Sequence, residues 1–136
     1  MKIKPHMVYI IDDDKTTIFL HKILVKSQLS SEGIQAFFDP KSALESIVSL
    51  DSECQKILIL LDINMPEMNG WQFLDELQVR VHFLDIKVVI LTSSLSKTDK
   101  DKCSEYPMVI DYWEKPMAAN HLIQLKKQLG DWLIES

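Results

Sequence analysis

Apolar and polar positions fall in alternating blocks along this chain. Five short runs have strand length and strand character: residues 7–11 (MVYII), 34–38 (IQAFF), 57–62 (ILILLD), 86–92 (IKVVILT) and 108–113 (MVIDYW). The central one is the most uniform, an unbroken aliphatic stretch from Ile57 to Leu61, which suits a parallel strand buried on both faces. Between the runs the spacing changes to that of helices. Phe19 with Ile23 and Leu20 with Leu24 form i, i+4 pairs, and Ala43, Leu44, Ile47 and Val48 mark one face of a second helix. Phe73, Leu74, Leu77 and Val81 do the same for a third. Leu122, Leu125, Leu129, Trp132 and Leu133 form the stripe of a last helix. Residues 97–105 (KTDKDKCSE) are long enough for a helix after a Ser96 cap but have almost no apolar face, so this element is expected to be loosely held. Asp14 and the pair Asp39-Pro40 are helix-start signals, and Gly33 is a break.

Strand and helix thus alternate five times over short connections, which predicts an α/β fold: a doubly wound, five-stranded parallel sheet with right-handed crossovers. At 136 residues the chain fits one domain, with no repeat, linker or low-complexity tract. Composition adds exclusions. No apolar run approaches the ~20 residues that cross a bilayer, and the start, MKIKPHMVYIID, lacks a signal peptide's apolar region, so a soluble, cytoplasmic protein without membrane insertion is expected. A net charge of −5 and the lack of a basic stripe argue against direct nucleic-acid binding. Cys54 and Cys103 have neither metal-ligand spacing nor enough companions for a disulfide framework, and are expected to be free thiols. His6, His21, His82 and His121 also lack ligand spacing and are assigned to the surface. Trp71, Trp113 and Trp132 are assigned to the core or helix faces, and Met65 and Met68 to loop packing.

The chemistry gathers where strands end. Asp62 closes the central strand ahead of a tight loop, INMPEMNG; Asp12, Asp13 and Asp14 follow the first strand directly. Thr92, Ser93 and Ser94 end the fourth strand, and Glu114, Lys115 and Pro116 follow the fifth. In doubly wound sheets the ligand site lies outside the carboxyl ends of the strands, so Asp12, Asp13, Asp62, Thr92 and Lys115 converge there. Three neighbouring carboxylates raise one another's pKa unless a cation holds them ionised, and an all-oxygen set favours Mg2+ or Mn2+ over zinc. Cation, ammonium and hydroxyl together make a pocket for three phosphoryl oxygens, with a carboxylate as nucleophile.

With IIDDD at the first strand end, LLDINMPEMNG at the third, ILTSS at the fourth and DYWEKP at the fifth, the sequence resembles the response-regulator receiver domain over essentially its whole length. The resemblance implies a flavodoxin-like (βα)5 fold with strand order 2-1-3-4-5 and a cis Lys115-Pro116 bond. It implies Asp62 as phosphoryl acceptor, with Mg2+ held by Asp12, Asp13, Asp62 and the backbone carbonyl of Asn64. It assigns Thr92 and Lys115 to the phosphoryl group and Tyr112 to the role of switch aromatic. Asn64 and Ser94 fall where the family tunes dephosphorylation; being neither acids nor long amides, they are expected to give the attacking water no unusual help. The implied donor is a sensor histidine kinase or a histidine phosphotransfer protein, and the readout is a changed surface of the fourth helix, fifth strand and fifth helix toward an unidentified protein target. Tyr106-Pro107-Met108 and the bulky Trp113 depart from the family's usual small or aliphatic residues and alter that face.

As no output domain follows the fifth helix, a stand-alone receiver is expected, with a phosphorelay intermediate or a piece of a larger regulator as alternatives. An enzyme is the rival of another class: VYIIDDDKT also resembles the first motif of haloacid-dehalogenase-type phosphatases, with Asp12 as nucleophile and Asp14 as acid/base. That reading leaves Asp62 and its loop unexplained and finds only Asp131 and Glu135 for its last acidic motif. A phosphorylation-independent adaptor is a third reading, although every chemical position is filled.

Overall fold

A computed structural model describes residues 7–29, 33–51, 55–94 and 96–133; His6, Cys54 and Glu135 lie outside them. Five parallel strands, β1 (Met7–Ile11), β2 (Gly33–Phe37), β3 (Lys56–Asp62), β4 (Asp85–Thr92) and β5 (Val109–Glu114), form one sheet in the order β2-β1-β3-β4-β5. The helices α1 (Lys15–Leu29), α2 (Pro40–Ser49), α3 (Gly70–Arg80), α4 (Lys97–Cys103) and α5 (Ala119–Leu129) connect and follow them. β2 is placed one residue earlier than the apolar run suggests, leaving Phe38 outside and about half exposed; β5 is placed one residue later.

Alternation along each strand divides the core into two layers. Tyr9, Ile11, Ile57, Ile59, Leu61, Val88 and Ile90 point to α2 and α3, where Ala43, Leu44, Ile47, Phe73, Leu74 and Leu77 are buried. Val8, Ile10, Leu58, Leu60, Val89 and Leu91 point to α1 and α5 and meet Ile18, Val25, Leu29, Leu122 and Leu125. β3 is buried from Ile57 onward because it lies mid-sheet with helices on both faces, as its aliphatic run requires. No helix among the described residues is long and apolar enough to cross a membrane.

Local signals set the helix starts. Asp39 accepts from the backbone N–H groups of Lys41 and Ser42 with Pro40 opening α2, and Asn69 and Gln72 form a reciprocal capping box on α3. Asp14 accepts from the Thr16 N–H and the Thr17 hydroxyl at the head of α1.

Three expectations are corrected. α1 turns Ile18, His21, Val25 and Leu29 inward and leaves Phe19, Leu20 and Ile23 exposed at 64, 52 and 52 %. Apolar residues lie on most sides of this helix, so spacing alone does not choose the face; the sheet accepts the row at i, i+3, i+7 and i+11. His21 is therefore buried, 4 % exposed, and not a surface residue. α5 stops at Leu129, because Gly130 takes φ +51° and a 3-10 turn, Gly130–Trp132, turns the chain away. Trp132 and Leu133 consequently leave the helical stripe. The Trp132 indole donates to Asp85 Oδ2 (2.7 Å), and its carbonyl accepts from Lys56 Nζ (3.0 Å).

Candidate functional site

Sheet register brings the singled-out residues together. Ile11 pairs with Leu61 and Asp62 with Leu91, so Asp12 emerges level with Asp62 on the adjacent strand. Thr92 pairs with Glu114, and its carbonyl accepts from the Lys115 N–H (2.8 Å). Carboxylate oxygens of Asp12, Asp13 and Asp62 lie within 4.8 Å of one another. Asp12 and Asp62 are buried and Asp13 is exposed, which leaves the cluster one open side.

Each buried acid has one oxygen on its own loop and the other toward a shared lysine. Asp12 Oδ1 accepts from the Asp14 N–H (2.9 Å) and Asp62 Oδ1 from the Asn64 N–H (3.1 Å). Lys115 Nζ lies 2.6 Å from Asp12 Oδ2 and 3.5 Å from Asp62 Oδ2. Burial alone would lower the Lys115 pKa, but the hydrogen bond and charge of Asp12, then Asp62, raise it, so this lysine stays cationic. One ammonium does not satisfy the acids. Burial, and then the charge of Asp12, push Asp62 up to about 6, against the smaller lowering effects of the Asn64 N–H and Lys115. The bond preceding Pro116 is cis.

The loop after Asp62 is held tightly. Gly70 N–H returns to the Ile63 carbonyl (3.0 Å), and a Cβ at Gly70 would meet Ile63 Cγ2 at 2.7 Å and the Asp62 carbonyl at 3.0 Å. Only glycine permits that approach.

Thr92 is fully buried, and its hydroxyl accepts from Asn64 Nδ2 (3.1 Å) and the Ser94 N–H (3.3 Å). Nothing in residue spacing signals that the Asn64 carboxamide spans from the β3 loop to the end of β4. Tyr112 stands apart from this cluster, 36 % exposed on β5 with Lys100 Nζ 5.9 Å from its ring centre. A cleft of about 350 Å3 between α4 and β5 is lined in part by Lys100, Cys103, Asp111 and Tyr112.

His21, assigned to the surface for want of ligand spacing, lies where the charges of Asp12 and Lys115 reach it; burial, with Lys115 adding to it, lowers its pKa despite the opposing pull of Asp12. The side chain makes no hydrogen bond to other described residues. His121 is half-buried, stacked on Trp113 with its Nδ1 accepting from the Ala118 N–H (3.0 Å), so it caps α5. Asp14, the acid/base of the phosphatase reading, has both oxygens committed to the first turn of α1.

A five-stranded parallel sheet in this order, with paired acids after β1, an acid ending β3, a hydroxyl ending β4 and a lysine after β5, defines a receiver-type signalling domain. The chain belongs to the response regulator receiver domain family, which it matches over residues 8–127. It is 34 % identical over 120 residues to a protein-glutamate methylesterase/protein-glutamine glutaminase 2 of Vibrio vulnificus, covering 88 % of this chain and 33 % of that protein. It is 25 % identical over 93 residues to the chemotaxis protein CheY1 of Helicobacter pylori, covering 68 % and 73 %. A two-component response regulator structure from Cytophaga hutchinsonii superposes with a TM-score of 0.77 at 29 % identity, covering 93 % of this chain and 97 % of that one. The chain therefore spans about a third of the length of the methylesterase relative.

Proposed function

We propose that this chain is a phosphoacceptor switch: Asp62 receives a phosphoryl group from a phosphohistidine on a sensor kinase or histidine phosphotransfer protein, and the acyl phosphate changes the face formed by α4, β5 and α5. The observation that carries the reading is the buried Asp62 carboxylate, pushed up to about 6, in a cluster of three acids within 4.8 Å that Lys115 alone among the described residues balances.

That surplus of negative charge and the all-oxygen donor set fit a hard divalent cation. Asp12, Asp13 and Asp62, with the backbone carbonyl of Asn64, would hold Mg2+ or Mn2+. When bound, the ion supplies charge neutralisation on Asp62 and on the incoming phosphoryl oxygens.

The protein's own groups do the rest. Asp62 Oδ attacks phosphorus, an O–P bond forms, the donor's N–P bond breaks and its electron pair returns to the imidazole. Lys115 Nζ, already shared between the two buried acids, moves its charge onto a phosphoryl oxygen. The Thr92 hydroxyl reaches another oxygen by leaving the Asn64 carboxamide and the Ser94 N–H. Tyr112 is the aromatic that follows Thr92 inward, and Lys100 must release its ring for that turn. Asn64 and Ser94 tune hydrolysis without supplying an acid or base. The same chemistry serves a stand-alone regulator, a phosphorelay carrier or a receiver within a longer chain.

Intact-mass spectrometry after incubation with acetyl phosphate, with and without Mg2+, tests this. One hydroxylamine-labile phosphoryl adduct is expected with Mg2+ and none without it. A folded protein that forms no adduct with Mg2+ would return the adaptor reading to the front.

A further inference from the structure

α4 cannot be held by an apolar stripe. Its sequence is KTDKDKC, and only Cys103 is buried. Seven residues are also far short of the roughly 12–15 that sustain an isolated helix. Its amino end is satisfied from within: the Ser96 hydroxyl accepts from the Asp99 N–H and Asp99 Oδ2 from the Ser96 N–H.

At the carboxyl end the situation differs. Successive turns carry the chain from α4 to Tyr106, whose N–H reaches the Cys103 carbonyl and whose carbonyl receives the Val109 N–H at the start of β5. The Tyr106 side chain is 7 % exposed and belongs to the core layer of α3. It stacks on Trp71 with centroids 5.6 Å apart and planes at 22°, while its hydroxyl donates to Asp75 Oδ1 at 2.8 Å. Trp71 and Asp75 are one helical turn apart on α3, so a single aromatic ring and its hydroxyl fit one face of that helix. Lys102 of α4 places its ammonium 5.6 Å from the Trp71 ring. Burial, together with the bond to Asp75, pushes the Tyr106 phenol up to about 12, so the hydroxyl keeps its proton and remains the donor to Asp75.

We propose that Tyr106 is a fixed anchor clamping the carboxyl end of α4 onto Trp71 and Asp75 of α3, so that within α4 switching moves only the amino-terminal turn. The switching half of this inference rests on the phosphoacceptor reading; the anchoring half does not. Trp71 directly follows Gly70, the residue that closes the Asp62 loop, so the clamp ties α4 to the element that ends the acceptor loop. The face presented to a partner then pivots about a point on α3.

Hydrogen exchange read by mass spectrometry on the full chain, unmodified and after acetyl phosphate with Mg2+, tests the anchor. In the unmodified protein Tyr106→Phe, which keeps the stack and loses the hydroxyl, should speed exchange over residues 101–108 by roughly fivefold, the loss of one ordinary hydrogen bond to a solvent-exposed acceptor. Asp75→Leu should match it, Asp75→Asn should restore near-wild-type exchange by keeping an acceptor, and the Tyr106→Phe/Asp75→Leu double variant should be no faster than either single one. In the phosphorylated wild type the change within α4 should map to residues 96–100 and spare 103–108. Unchanged exchange at 101–108 in Tyr106→Phe, or a phosphorylation-dependent change spread evenly through α4, would overturn the anchor. Absence of adduct on wild type refutes the phosphoacceptor reading instead, and the unmodified variants still decide whether Tyr106 anchors α4.

Discussion

Replacing Asp62 with asparagine removes a carboxylate that burial and the charge of Asp12 push from 3.8 to about 6, and thereby changes how stability depends on pH. The folded protein holds the Asp62 proton more tightly than the unfolded chain does, so the stability from that proton is fully present below about pH 4 and is lost as pH rises through about 6. A shift of roughly two units corresponds to a penalty of about 3 kcal/mol at neutral pH. Asparagine fills the same volume, keeps an oxygen for the Asn64 N–H and carries no charge, so it escapes most of that penalty. Asp62→Asn is expected to be more stable than wild type by about 2–3 kcal/mol near pH 7.5, roughly 10 °C in Tm for a chain of this size. The two proteins should converge toward pH 4. Urea unfolding followed by far-UV circular dichroism at several pH values, without divalent ions, measures this directly. An Asn variant no more stable than wild type at neutral pH, or a difference that does not shrink on acidification, would refute the reasoning.

Other variants probe separate parts of the site. Gly70→Ala places a methyl 2.7 Å from Ile63 Cγ2 and 3.0 Å from the Asp62 carbonyl, so urea unfolding should show a loss of about 1–3 kcal/mol; unchanged stability would mean that the loop is not closed as described. His21 has its pKa lowered by burial, so the unfolded chain takes up its proton first and stability falls as pH drops below about 6.5. His21→Leu should flatten that slope, and an identical slope in the variant would place the acid sensitivity elsewhere. Lys115→Met removes the ammonium 2.6 Å from Asp12 Oδ2 and is expected to uncouple adduct formation from the exchange change in α4; a phosphorylated variant with the full wild-type change would count against the role given to Lys115.

The elements most legible in the sequence were those under a single demand. β3 must be apolar on both faces, so Ile57–Leu61 reads as a central strand, and an acid at its end is conspicuous. The acids, hydroxyl and lysine are legible because each lies at or just beyond the carboxyl end of a strand, and parallel register does the rest. α1 was not legible in its facing, since residues 18, 19, 20, 23, 24, 25 and 29 are all apolar and the row that docks includes His21. The end of α5 had a signal that outweighs the stripe: Gly130 directly after Leu129, with Lys126 and Lys127 in the last turn. The bonds from Asn64 to Thr92 and from Tyr106 to Asp75 join residues 28 and 31 positions apart, and no local period encodes such pairs.

The most direct measurement on the central claim is to locate the phosphoryl group. After acetyl phosphate and Mg2+, borohydride reduction of the acyl phosphate and peptide mapping by tandem mass spectrometry should find homoserine at Asp62 alone, with none in Asp62→Asn. Homoserine at Asp12, or an undiminished adduct in the Asn variant, would contradict the account.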